Sequence, residues 1–230
     1  MNLSQVVISC EHGGNHIPDA YQYLFSGHQQ AVESHRGWDP GALDIAKFLA
    51  EQLNAPLFYH ITTRLLIELN RSLHHPDLFS EFSHSLSEDV KKQVIKDYYA
   101  PYRNQVEKHI AGYVRNGQNV IHLSVHTFTP IFKGIRRTVD IGLLLDPDRA
   151  EEVAFCTSWQ DKLATALPEK RIHFNEPYLG KDDGFTTYLR TKFPSTKYIG
   201  IEIEANQQYI EQPEWQGIQQ ALAQSLLELL

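Results

Sequence analysis

Along its whole length the chain alternates short, β-branched apolar runs with segments whose apolar residues recur at the helical period, and this alternation leaves few folds open. The runs at 5–10 (QVVISC), 55–60 (APLFYH), 64–69 (RLLIEL), 119–125 (NVIHLSV), 139–145 (VDIGLLL) and 197–205 (KYIGIEIEA) read as strands. After the start signal Asp39-Pro40, residues 41–53 place Leu43, Ile45, Ala46, Leu49 and Leu53 mostly at helical spacing. Val90, Val94, Tyr98, Tyr102, Val106, Ile110 and Val114 recur every four residues and predict a long helix kinked at Pro101. Residues 149–167 and 215–230 complete the set of helices. The sequence therefore predicts an α/β fold, a mixed and mostly parallel sheet flanked by helices on both faces. No linker or shift in composition divides the 230 residues, so residues 1–230 are expected to form a single domain around one sizeable core.

Charge and segment lengths narrow the function. A formal net charge of −7 without any Lys/Arg block argues against nucleic acid or an anionic membrane as partner, and leaves a small molecule. No run of about 18 apolar residues occurs, and the N-terminal MNLSQVVISC lacks a basic segment followed by a long apolar one, so a cytoplasmic protein is expected. Cys10 and Cys156 are far apart in reading as a strand end and a helix, which predicts reduced, buried thiols.

In open α/β sheets ligands bind beyond the C-terminal ends of the strands, so the polar residues that follow apolar runs are the candidates for chemistry. The first strand ends in Glu11-His12-Gly13-Gly14-Asn15, the central one in His126, and the last carries Glu202 and Glu204. Imidazoles and carboxylates at one sheet edge supply the ligand types that catalytic zinc takes, with one position left for water. In YIGIEIE, Ile199, Ile201 and Ile203 alternate with Gly200, Glu202 and Glu204, so both carboxylates share a face of a core strand and need a charge partner or a catalytic use. Arg64, Glu68 and Asn70 fall at even spacing in the run read as a strand, with Arg71 at its exit, and two arginines there offer bidentate binding to a carboxylate. Arg136 and Arg137 of GIRR bring two more guanidinium groups near the segment after His126.

With these residues in view, ISCEHGGNHIP (8–18), HRGWDPGA (35–42), RLLIELNR (64–71), VHTFTP (125–130), DIGLLLD (140–146), NEPY (175–178) and GIEIEANQ (200–207) resemble, in order, the sequence blocks of the N-formylglutamate amidohydrolase family. The resemblance implies a zinc-carboxypeptidase-like fold, related to that of aspartoacylase and succinylglutamate desuccinylase, and zinc-dependent hydrolysis of a small acidic N-acyl amino acid such as N-formyl-L-glutamate. It implies His12 and His126 as zinc ligands and Glu202 as the catalytic glutamate. Arg64 then serves the oxyanion, and Asn70 and Arg71, with Arg136 and Arg137 assisting, bind substrate. Where the carboxypeptidase pattern has an acidic third ligand this sequence has Asn15, and Asp39 is the preferred substitute, with Glu11 and His35 as alternatives. A zinc carboxypeptidase, a peptidoglycan-type amidase and a non-catalytic module for acidic amino acids stay open beside this reading.

Overall fold

Val6, Val7, Ile8 and Cys10 build β1 (Gln5–Cys10), which enters the core at once in the computed structural model, whose described residues are 4–230. The chain continues through a 3-10 turn (Asp19–Phe25), α1 (Gln29–Glu33), α2 (Ala42–Gln52), β2 (Leu57–Tyr59), α3 (Glu88–Val94) and α4 (Ala100–Arg115). Then come β3 (Val120–Phe128), the two-residue strands β4 (Ile131–Phe132) and β5 (Ile135–Arg136), β6 (Ile141–Leu144), α5 (Ala150–Ala166), β7 (Ile172–Phe174), α6 (Phe185–Arg190), β8 (Tyr198–Asn206) and α7 (Glu214–Leu227). Six strands form one sheet in the order β2-β1-β3-β8-β6-β7, and β4 and β5 form a separate hairpin. All neighbouring pairs of the large sheet are parallel except β8 and β6, so the sheet is mixed and mostly parallel, as expected.

The alternation read from the last strand is realised. Ile201, Ile203 and Ala205 of β8 join Ile121, Leu123 and Val125 of β3 and Val6, Ile8 and Cys10 of β1 in one apolar layer, covered by α2, α5 and α7. The other face packs Val7, Val120 and Tyr198 against α4, α6 and the segment from Leu65 to Leu69. Most of the buried polar residues of the sheet lie on this second face, among them Ser9, His122, Ser124, His126 and Glu204. Register aligns them, with Ser9 beside Ser124, Ser124 beside Glu202 and His126 beside Glu204. Cys10 and Cys156 are free and buried, as expected.

Three local expectations are corrected. The run at 64–69 is not a strand: it is a series of turns, held by Leu66 N–H donating to Thr63 O and Glu68 N–H donating to Leu78 O. Its apolar residues are buried on the second face, and a short buried run carries no period that separates a strand from packed turns. The helix signal at 90–114 divides into α3, a π turn (Ile95–Tyr99) and α4; Pro101 stands in the first turn of α4, where the widened turn accommodates a residue without an N–H. His126 does not open a turn, because β3 runs on to Phe128 and buries it inside the strand. No described helix is long and apolar enough to cross a membrane.

Candidate metal centre and active cleft

Gly13 and Gly14 let the loop after β1 lie against residues 60–61; a Cβ at Gly14 would stand 2.8 Å from Ile61 O. This close approach turns His12 back over the sheet edge, where its carbonyl accepts from Asp39 N–H at 3.0 Å. His12 Nδ1 lies 3.1 Å from Asp39 Oδ2, and His126 Nδ1 lies 2.9 Å from the same oxygen. The three side chains are buried, and one ligand atom from each falls within 4.8 Å of the others. Of the four residues weighed for the third ligand, Asp39 is the one in this group. Glu11 stands on the far side of His126, Asn15 points to Val32 O, and His35 is exposed at the cleft rim.

The outward nitrogens of both imidazoles are held by carboxylates. His12 Nε2 meets Glu68 Oε1, and His126 Nε2 lies 3.2 Å from Glu11 Oε2 and 3.0 Å from Ser124 Oγ. Glu11 also accepts from Tyr102 Oη at 2.8 Å and Ser124 Oγ at 2.6 Å. Glu68 also accepts from Arg64 Nε at 2.6 Å and Asn70 N–H at 2.9 Å. Arg64 Nη1 reaches Asp39 Oδ1 at 3.2 Å. Burial works against the charge on Glu11, Asp39 and Glu68, yet neighbouring cations and hydrogen bonds outweigh it, chiefly His126 for Glu11, His12 for Asp39 and Arg64 for Glu68, and hold all three well below the usual carboxylate range. Burial likewise disfavours charge on His126, but Asp39 and Glu11 hold its pKa well above the ordinary value.

This donor set fits a divalent cation. Without a bound cation, His126 and Arg64 offset the charge of Glu11, Asp39 and Glu68; a divalent ion held by neutral imidazoles would take over that part. Two Nδ1 atoms and one carboxylate oxygen converge, while the Nε2 sides are gripped by carboxylates, the outer-shell arrangement that orients ligating histidines.

A cleft of about 270 Å³ opens on this group. Arg64, Asn70, Arg71, Glu202 and Glu204 line it, so the structure brings these expected residues together with His12, Asp39 and His126. Asn70 is fixed by Phe185 N–H donating to its Oδ1 at 2.6 Å, with its Nδ2 3.5 Å from His126 Nε2. Arg71 Nη1 donates to Asn70 O at 3.0 Å and Asp183 O at 2.7 Å, and its other guanidinium nitrogens make no hydrogen bond to the described residues. Glu202 Oε1 accepts from Thr186 Oγ1 at 2.6 Å. Glu204 is only 5% exposed, and its Oε2 has no partner among the described residues. Burial, reinforced by the nearby charges of Asp39 and Glu202, pushes its pKa up to about 8.

The two arginines of GIRR do not line the cleft. Arg136, on β5, donates to Gln208 Oε1 at 3.4 Å. Arg137 is spent behind the cleft wall: its guanidinium lies 4.7 Å from the Phe132 ring centroid and 4.9 Å from that of Tyr178, and donates to Tyr178 Oη at 3.0 Å. Sequence reasoning gave no role to Glu68, Ser124, Tyr178 or Thr186. Glu68 and Ser124 carried a signal, each two residues from a candidate already chosen, Asn70 and His126. Thr186 is brought in from α6 by the fold alone.

The sequence profile of the N-formylglutamate amidohydrolase family matches residues 4–211. Among solved structures, a gene product from Agrobacterium tumefaciens matches with a TM-score of 0.79 and 26% identity, over 99% of this chain and 92% of that one. An N-formylglutamate amidohydrolase from Ralstonia eutropha matches with a TM-score of 0.71 and 16% identity, over 99% of this chain and 93% of that one. No curated protein matches the chain.

Proposed function

Because the chain belongs to the N-formylglutamate amidohydrolase family, we propose that it hydrolyses the amide bond of a small N-acyl amino acid, with N-formyl-L-glutamate as the reference substrate, and that His12, Asp39 and His126 hold the zinc ion this requires. The observation that carries the reading is the convergence of two Nδ1 atoms on one Asp39 oxygen, with each imidazole braced from behind by a glutamate. The chemistry supplied at such a site is polarisation of the acyl carbonyl and acidification of a water to a pKa near ~7.

The chain's own groups then divide the remaining tasks. The resemblance pointed to Glu202 as general base, but Thr186 already occupies one of its oxygens, whereas Glu204 lies beside His126 in register and keeps Oε2 free. Glu204 is therefore the carboxylate assigned to take the proton from the attacking water and return it to the leaving nitrogen, a role that requires the bound cation to offset the burial that otherwise keeps it protonated up to about pH 8. Arg64 holds Asp39 and Glu68 in place, and its place on the cleft wall suits it to stabilise the developing oxyanion. Arg71, fixed through Nη1 with its other nitrogens uncommitted, is assigned the carboxylate of the amino acid, where a planar fork gives two parallel bonds. Asn70 is locked by Phe185 N–H and keeps its amide nitrogen turned toward the metal ligands.

Elemental analysis combined with an assay for formate release tests the proposal. The wild-type chain should carry about one zinc per molecule and cleave N-formyl-L-glutamate, while His12→Ala and His126→Ala should lose both metal and turnover. Full zinc occupancy in both variants, or an inert zinc-loaded wild type, would sink it.

A further inference from the structure

The cleft does not end at its rim. A shallow, open groove of about 860 Å³ adjoins it, and His35, Arg36, Arg64 and Phe132 line both. Arg71, Asp183 and Glu202 line the cleft alone, so the groove leaves from the Arg64 side. Resting on the function proposed above, with the amino-acid carboxylate on Arg71 and the acyl carbon at Arg64, the groove runs in the direction that the acyl group takes. A formyl group has only a hydrogen beyond its carbonyl carbon and would leave this whole space to water.

The geometry points to an acyl group longer than formyl, of aminoacyl or short peptidyl character, so that the chain releases an acidic residue from the C-terminal end of a small peptide-like amide. The lining selects among long acyl groups. Leu65, Pro76, Phe79 and Phe132 offer apolar surface to side chains, while Asp77, Ser80, Glu81 and His84 place polar groups among them. An aliphatic chain would strip these groups of water without pairing them, whereas a peptide backbone supplies alternating donors and acceptors. The reaction balances as ordinary hydrolysis: water adds across the amide bond, hydroxyl to the acyl carbon and hydrogen to the nitrogen, giving a peptidyl carboxylate and a free amino acid.

The test compares kcat/KM of the zinc-loaded protein for N-formyl-L-glutamate and for N-acetyl-diglycyl-L-glutamate. The longer amide should be preferred by at least about tenfold, the scale of discrimination that a filled subsite gives. Asp77 and His84 are exposed on the groove, so Asp77→Trp and His84→Trp should fill it without disturbing the core. Each should erase that preference and leave N-formyl-L-glutamate unaffected. Cleavage of the formyl substrate with rejection of the peptidyl one overturns the inference and leaves the proposed function standing, as does an equal fall on both substrates in the two variants. Failure to cleave either amide overturns both.

Discussion

Glu202 and Glu204 lie two residues apart on one face of β8, yet they are in different chemical situations. The first accepts from Thr186 at one oxygen, and the second is buried with an oxygen that has no partner among the described residues. Replacement by glutamine keeps the shape and removes the ability to accept a proton, so Glu204→Gln should bind zinc normally and lose about 10²–10⁴-fold in kcat with KM little changed. Glu202→Gln should be milder, and steady-state kinetics that rank the two the other way would return the base to Glu202. Part of the candidate group at this scale was legible in advance. Position just after an apolar strand pointed to His12 and His126 because a metal needs such residue types at a sheet edge, whereas Asp39, which precedes a helix, was reached only through the family resemblance. The choice between the two glutamates was not legible, since strand alternation places both on one face and only the neighbouring α6 decides which is already bonded.

At the scale of elements, long periodic segments and the apolar runs of β1, β2 and β6 announced themselves, and several other short elements did not. Both nine-residue strands, β3 and β8, were read within a residue or so at their first ends, whereas β7, α6 and the β4–β5 hairpin, at two to six residues each, gave no period to detect. The turns at 64–69 show the complementary failure, a run buried by packing that imitates a strand. β6 carries the tightest contact near the site. Gly142 pairs with Glu204 across the antiparallel junction, and a Cβ there would lie 1.9 Å from the carbonyl oxygen of Glu176. Gly142→Ala must push back either β6 or the segment leading to Tyr178, and overpacking of this kind costs about 1–3 kcal/mol. Urea unfolding should show that loss, and an unchanged midpoint would mean the segment yields freely.

For the molecule as a whole, acid stability should be set in part by His122, which stitches three strands together at the second face. Its ring nitrogens contact Tyr198 Oη and Ser9 Oγ, each at 2.8 Å, linking β8, β3 and β1. Burial lowers its pKa from 6.5 to about 4, so between those values the unfolded chain binds a proton that the folded one does not. Stability from this group is thus whole above pH 6.5 and drains away as pH falls toward 4, by on the order of 3 kcal/mol. Denaturant titrations across that window should show a shallower pH slope for His122→Gln than for the wild type; parallel slopes would exclude His122 as the source. The parallel sheet has a consequence in time as well as in space. Pairing joins Gln5 to Val120 and Val120 to Tyr198, so β1, β3 and β8 meet only after long loops have closed, and His12, Asp39 and His126 have no common neighbourhood in the nascent chain. The cation proposed for these residues would then join a finished scaffold and would not act as a folding template. Zinc should lower the unfolding rate and leave the refolding rate nearly untouched, a split that stopped-flow chevrons with and without chelator would display as movement of one limb alone.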